Sequence, residues 1–142
     1  MRLVDTNVLL YASDGTAEHH EVSRTWLQGA LTGAEPLLVP WLVSVGFLRI
    51  STNPRSYGNP KSVAEAMSFL RTVVTARPVV RGEPDPRHLE RVEALLAATG
   101  AGGNLVNDAH LAALALQHDA TVVSYDNDFA RFPGVRWERP AA

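Results

Sequence analysis

"MRLVDTNVLLYA", residues 1–12, decides the fold. Leu3 and Val4 lead into a carboxylate, Asp5, and the apolar Val8, Leu9 and Leu10 follow it. Burying an unpaired carboxylate among such residues costs several kcal/mol, so something must compensate the charge. The stretch Arg2 to Asp5 reads as a short buried strand, ended by the Asn, Ser, Asp and Gly of "TNVLLYASDG". A second apolar run, "TVVSY" at 121–125, is rich in β-branched residues and bounded by Asp126, as a central strand is.

Between these two strands the pattern alternates. Val22, Trp26, Leu27 and Leu31 recur at helical spacing within 18–31. "LLVP" at 37–40 suits a strand, and Pro40 can open a helix through "WLVSVGFLRIST" until Asn53-Pro54. Pro60 opens another helix over "KSVAEAMSFLRTVV", with Val63, Met67, Leu70 and Val74 as its apolar stripe. A short strand falls at 78–80. Asp85, followed by Pro86, is placed to N-cap "RHLERVEALLAAT", which stops at Gly100, and a further helix runs from about Asn104 to Gln117. Strands alternating with helices predict a parallel sheet covered on both faces, an α/β architecture, in one domain spanning 1–142.

Composition narrows the chemistry. The chain has 142 residues, 46% of them hydrophobic and 20% charged, no cysteine, and a formal net charge of −2. Thiolate catalysis, disulfides and cysteine metal sites are excluded. A polyanion would have to be gripped by a local patch or by bound cations, because the whole chain does not attract it. No apolar stretch is long enough to span a bilayer, and no secretory signal pattern opens the chain, so a cytoplasmic protein without a membrane is expected.

In an open parallel sheet ligands gather outside the carboxyl ends of the strands, at the point where strand order switches. Asp5 and Asp126 each end a predicted strand. If those strands are neighbours, the two carboxylates converge there, with Asp108 near a helix N-terminus and Asp128 two residues past Asp126. Several carboxylates in one pocket cannot all ionise near neutral pH without a counter-charge. Mg2+ or Mn2+, which prefer carboxylate and water oxygens, supply it, with Thr6 and Asn7 orienting Asp5. Such a site points to phosphoryl chemistry.

"VDTNVLLY", "NDAHLAALAL" and "YDNDFARFPGVRW", in this order and at these separations, resemble PIN-domain ribonucleases and, more narrowly, the VapC toxin branch of bacterial toxin–antitoxin pairs. The middle segment "PWLVSVGFLRISTNPR" shares the likeness. The resemblance implies a PIN-like three-layer α/β/α sandwich with a central, mainly parallel sheet, and a Mg2+- or Mn2+-dependent endoribonuclease cutting single-stranded or loop RNA. It also implies a small VapB-like antitoxin partner and a homodimer. Carried over by position, Asp5, Asp108 and Asp126 are catalytic and bind metal, and Asp128 is a further metal ligand. One departure is Gly46, which stands about where many members have a Glu. It leaves one metal better supported than two, and keeps open a catalytically impaired module that binds RNA or protein.

The remaining candidates have plainer readings. Asn104 and Asn107 read as helix caps, with a phosphate contact as the alternative, and Ser124 as local structure, with support of a metal ligand as the alternative. His19 and His20 read as solvated surface; His88, His110 and His118 have no partner at ligand spacing. Trp26, Trp41 and Trp137 read as core or interface. Arg49, Arg55 and Lys61 near Tyr57 read equally as a solvated loop or as a contact to RNA phosphate, with the tyrosine ring free to stack on an unpaired base.

Overall fold

The structure is a computed structural model and describes residues 1–141; Ala142, the last residue of the expected domain, lies outside the described residues. Strand β1 (Arg2–Val4) passes directly into helix α1 (Thr6–Ser13), and α2 (His20–Thr32) follows. Then come β2 (Leu37–Leu38), α3 (Trp41–Ser51), α4 (Val63–Val74), β3 (Val79–Val80), α5 (His88–Thr99), α6 (Leu105–Gln117) and β4 (Thr121–Val123). A short 3-10 helix (Asn127–Arg131) and β5 (Trp137–Glu138) complete the chain. All strands pair in parallel in the order β3-β2-β1-β4-β5.

That order explains the layers. From β1 the chain steps to β2 and on to β3, then crosses back to β4 on the other side of β1. Right-handed crossovers therefore put α1–α4 on one face and α5–α6 on the other, and the helices pack accordingly, α1 on α2 and α3, α5 on α6. The sheet is buried between them: Leu3, Val4, Val39, Val122 and Val123 have no exposed surface. Order reverses at the β1–β4 pair, so the crevice of an open α/β sheet opens outside Val4 and Val123.

Several expectations are corrected here. Asp5 does not close a longer strand; it is the N-cap of α1, its side chain accepting from the Thr6 amide, and "TNVLLYAS" is helix rather than turn. Burial of Val8, Leu9 and Leu10 comes from helical packing. On α4 the buried stripe is Ala66, Leu70 and Val73, while Val63 is 68% exposed; Ser62, not Pro60, caps that helix in a reciprocal capping box with Glu65. Arg87 rather than Asp85 occupies the N-cap of α5; Asp85 instead accepts from the Arg87 amide and from Arg91 Nη1 at 2.6 Å.

Trp26 and Trp137 pack against the core, whereas Trp41 is 56% exposed. His19 and His20 are half-buried rather than solvated: His19 stacks on Tyr125 with centroids 4.4 Å apart, and His20 Nδ1 lies 2.9 Å from the Tyr11 carbonyl. His88 and His110 do find a partner, each other, with Nε2 of one 2.7 Å from Nδ1 of the other across the α5–α6 contact.

Tyr57 is not available for stacking on a base. Its ring packs against the core and its hydroxyl donates to Asp14 Oδ2 at 2.6 Å. Asp14 is buried and also accepts from the Thr16 amide and hydroxyl and from Asn59 Nδ2. These donors outweigh its burial and hold its carboxyl well below the usual carboxylate range, while burial and Asp14 push the Tyr57 hydroxyl up. The pair clasps the α3–α4 loop to the end of α1. Tyr57→Phe is expected to destabilise the protein by about 1.5–3 kcal/mol, the range for a hydrogen bond to a charged group. Because the Asp14 carboxyl is depressed, the stability it contributes is present above its unfolded pKa near 4 and is lost as pH falls below that. Denaturant unfolding at pH 7 and pH 3 checks both: the Tyr57→Phe deficit should shrink at the lower pH.

Candidate metal centre

The site is assembled by two strand exits. The Asp5 amide donates to the Val123 carbonyl at 3.0 Å, continuing the β1–β4 ladder by one residue. Asp5 Oδ1 accepts from the Thr6 amide at 2.7 Å. Its Oδ2 accepts from the Ser124 hydroxyl at 2.6 Å and from Asn7 Nδ2 at 3.2 Å. Ser124 Oγ in turn accepts from the Asp126 amide at 3.0 Å and from Asn7 Nδ2 at 3.1 Å, and Asn7 Oδ1 accepts from the Tyr125 amide at 3.2 Å. Thus Ser124, read from sequence as local structure, joins both exits. Asn7 orients Asp5 as expected, and Thr6 does so through its backbone; its hydroxyl faces the Val43 carbonyl at 3.5 Å.

Beyond this clamp, one carboxylate oxygen each of Asp108, Asp126 and Asp128 lie within 4.8 Å of one another. Asp126 N-caps the 3-10 helix, its Oδ1 accepting from the Asp128 amide at 2.9 Å, which turns both side chains to one side. Asp108 comes from the first turn of α6, which packs on β1, β4 and the 3-10 helix. Asp5, 8% exposed, is outside this group but close enough that its charge acts on Asp108 and that of Asp126 acts on it.

The electrostatics are unfavourable as they stand. Burial first, then the charges of Asp126, Asp5 and Asp128 and a hydrogen bond with Asp126, push Asp108 up to about 7. Burial also raises Asp5, against the opposing Ser124 and Thr6 hydrogen bonds. The one ion pair to these four carboxylates among the described residues is Arg131 Nη1 to Asp128 Oδ1 at 3.6 Å, on the exposed rim. An oxygen-only donor set with this charge excess suits a hard divalent cation such as Mg2+ or Mn2+.

Gly46 lies on α3 against α1: a Cβ there would stand 3.1 Å from Thr6 Oγ1. The position where the resemblance leads one to expect an acid thus borders the Asp5 cap, and it contributes no carboxylate. Asn104 occupies the N-cap of α6 without a side-chain capping bond, and Asn107 is exposed within the helix.

The metal-free protein has a testable consequence. Folded, Asp108 keeps its proton up to about pH 7; unfolded, it ionises near pH 4. Between these values the folded state binds more protons, so stability falls as pH rises and stays lost above pH 7. Asp108→Asn is expected to raise the metal-free Tm at pH 8, by roughly 3–5 °C per kcal/mol relieved, and to change it little at pH 4.5. Millimolar Mn2+ should raise the Tm of the wild type and not of the variant. A lower metal-free Tm for Asp108→Asn at pH 8 would contradict this electrostatic picture.

Comparison with known proteins agrees with the fold. The PIN domain family model matches residues 2–135. The chain is 44% identical over 142 residues to Ribonuclease VapC37 of Mycobacterium tuberculosis, covering 100% of this chain and 99% of that protein. It is 42% identical over 140 residues to Ribonuclease VapC31 of the same species, covering 99% of each. Among solved structures, VapBC2 from Rickettsia felis bound to a DNA fragment from its promoter matches with a TM-score of 0.70 at 18% identity, over 97% of each chain. VapBC-1 from nontypeable Haemophilus influenzae matches with 0.67 at 15%, over 97% of this chain and 96% of that one. With its parallel sheet, its acids at the β1–β4 edge and this full-length similarity, the chain belongs to the PIN-domain family, in the branch of the VapC ribonucleases.

Proposed function

We propose that the protein is the toxin of a toxin–antitoxin pair, a Mg2+- or Mn2+-dependent endoribonuclease that cuts single-stranded or loop RNA in the cytoplasm. The observation that carries this reading is the group of Asp108, Asp126 and Asp128, with one rim arginine on Asp128 as its ion pair among the described residues, beside the buried Asp5. Its support is that relatives 33–44% identical over nearly the full chain are named ribonucleases. A VapB-like antitoxin is the proposed partner, since the matching solved structures are VapBC complexes; a homodimer is proposed from the resemblance. No helix of the described residues is long and apolar enough to cross a membrane.

In the proposed chemistry Asp5, Asp108 and Asp126 are the catalytic carboxylates, and with Asp128 they hold the ion. A bound Mg2+ or Mn2+ supplies Lewis acidity, easing ionisation of water and neutralising charge on the phosphate. The chain's own part is geometric and electrostatic. Asn7 and Ser124 fix Asp5, the 3-10 cap fixes Asp126 and Asp128 relative to each other, and α6 brings Asp108 against them. Carboxylates held in this way would accept the proton of the attacking water and set its line to the phosphorus; as the new P–O bond forms, the bond from phosphorus to the 3′ oxygen breaks and that oxygen takes up a proton, leaving a 5′-phosphate and a 3′-hydroxyl.

Cleavage of a 5′-labelled single-stranded RNA with Mn2+, with the product ends mapped, tests the proposal. Loss of a partner that only orients a metal ligand costs about 10–100-fold, so Ser124→Ala should fall in that range. Asp5→Asn and Asp126→Asn should lose roughly 100-fold or more while staying folded. Asp126→Asn cutting as fast as the wild type would overturn the assignment. A wild type that binds RNA without cutting it would favour the impaired binding module that Gly46 allows.

A further inference from the structure

The net charge of −2 hides a segregation. Between Glu35 and Glu83 the chain carries Arg49, Arg55, Lys61, Arg71, Arg77 and Arg81 against the single acid Glu65, a formal charge of +5, so the rest carries −7. None of these six cations is in an ion pair among the described residues, and Glu65 is occupied by its capping box. In space this segment is β2, α3, α4 and β3, the half of the sheet that adjoins β1 on the side away from β4.

At the carboxyl edge of that half stands Trp41. The β1–β2 register pairs Leu3 with Leu38, which sets Asp5 level with Pro40 and Trp41 one residue beyond, on the rim where the acids meet. Trp41 is 56% exposed, and the Arg81 guanidinium lies 4.8 Å from the centre of its ring. Five residues along α3 from Trp41, a Cβ on Gly46 would stand 3.1 Å from the hydroxyl of Thr6, the neighbour of Asp5. The indole presents aromatic surface to solvent, and a cation over one ring face leaves the rest of the ring for a planar group.

We propose that the Trp41–Arg81 pair is the platform on which an unpaired RNA base stacks beside the acid group, with Arg81 and the basic half of the sheet neutralising the adjoining phosphates. The inference rests on the ribonuclease reading. The occupant is chosen by charge: the platform belongs to the segment whose formal charge is +5 and whose cations are in no ion pair among the described residues, and a single strand offers both a ring for the indole and a phosphate for Arg81. Phosphates held on the basic half lead the strand towards the carboxylates across the β2–β1 boundary. An apolar face of a second copy would meet Arg81 and its neighbours with nothing to pair them. Stacking tolerates any base, so the platform favours unpaired over duplex RNA without fixing sequence.

The test is binding of a fluorescein-labelled 12-nucleotide single-stranded RNA to the full chain in EDTA, where cleavage is silent, with Mn2+ affinity, Tm and sedimentation measured on the same variants. Trp41→Ala should weaken RNA binding about tenfold, within the range for loss of one base stack, with Mn2+ affinity and Tm unchanged, and Trp41→Phe should restore most of it. Arg81→Gln should weaken binding and reduce the salt slope by about one. Wild-type RNA affinity in Trp41→Ala overturns the proposal, and a loss of dimer in that variant at unchanged affinity reassigns the face to self-association. Wild-type protein that neither binds nor cuts RNA defeats the ribonuclease reading itself, whereas wild-type cleavage with a silent Trp41→Ala defeats only this inference.

Discussion

One hydroxyl group joins the two halves of the acidic edge. Ser124 Oγ has a single proton, given to Asp5 Oδ2 at 2.6 Å, and its lone pairs receive the Asp126 amide and Asn7 Nδ2. The direction of every bond in the network follows from that proton, since Asp5 must accept and Asp126 must approach through its backbone. Residues 119 apart in sequence are thereby fixed relative to each other. Without the parallel β1–β4 register, which pairs Val4 with Val123, Ser124 would not face Asp5.

The clamp satisfies Asp5 by hydrogen bonds but leaves its neighbours short of counter-charge. Asp5 can be buried because three donors reach it, whereas among Asp108, Asp126 and Asp128 an arginine reaches Asp128 alone. The fold thus separates two duties that the sequence presents as four similar aspartates. Folding stability is lost in bringing like charges together, and a bound cation would restore it. The opposite sign is concentrated in the segment that forms β2, α3, α4 and β3.

Much of this was legible in the sequence because it is local. The four longer apolar runs mark β1 to β4, and the acids that end β1 and β4 mark the edge where they meet. Repeating apolar residues mark α2 and α4, and proline and glycine punctuation marks α3 and α5. What escaped is either very short or very long-range. A three-residue β1 followed at once by α1 has no room to show where one period gives way to the other, and the two residues of β5 show no period at all. The His88–His110 contact spans 22 positions and Tyr57–Asp14 spans 43, and neither has a signature in residue spacing. Ser124 looked like an ordinary strand-end residue because its importance lies in what the fold places opposite it. The tight grouping of Asp108, Asp126 and Asp128, with Asp5 set behind, depends on the 3-10 turn after Asp126, which the spacing "YDND" does not reveal.

The central claim, that the fold concentrates carboxylates whose charge a hard cation must balance, is tested most directly by calorimetric titration of Mn2+ into the protein in buffers of different ionisation enthalpy. Since Asp108 holds its proton up to about pH 7, binding should release close to one proton at pH 6 and fewer at pH 8.5. No binding at millimolar Mn2+, or binding with no proton released at pH 6, would contradict the account.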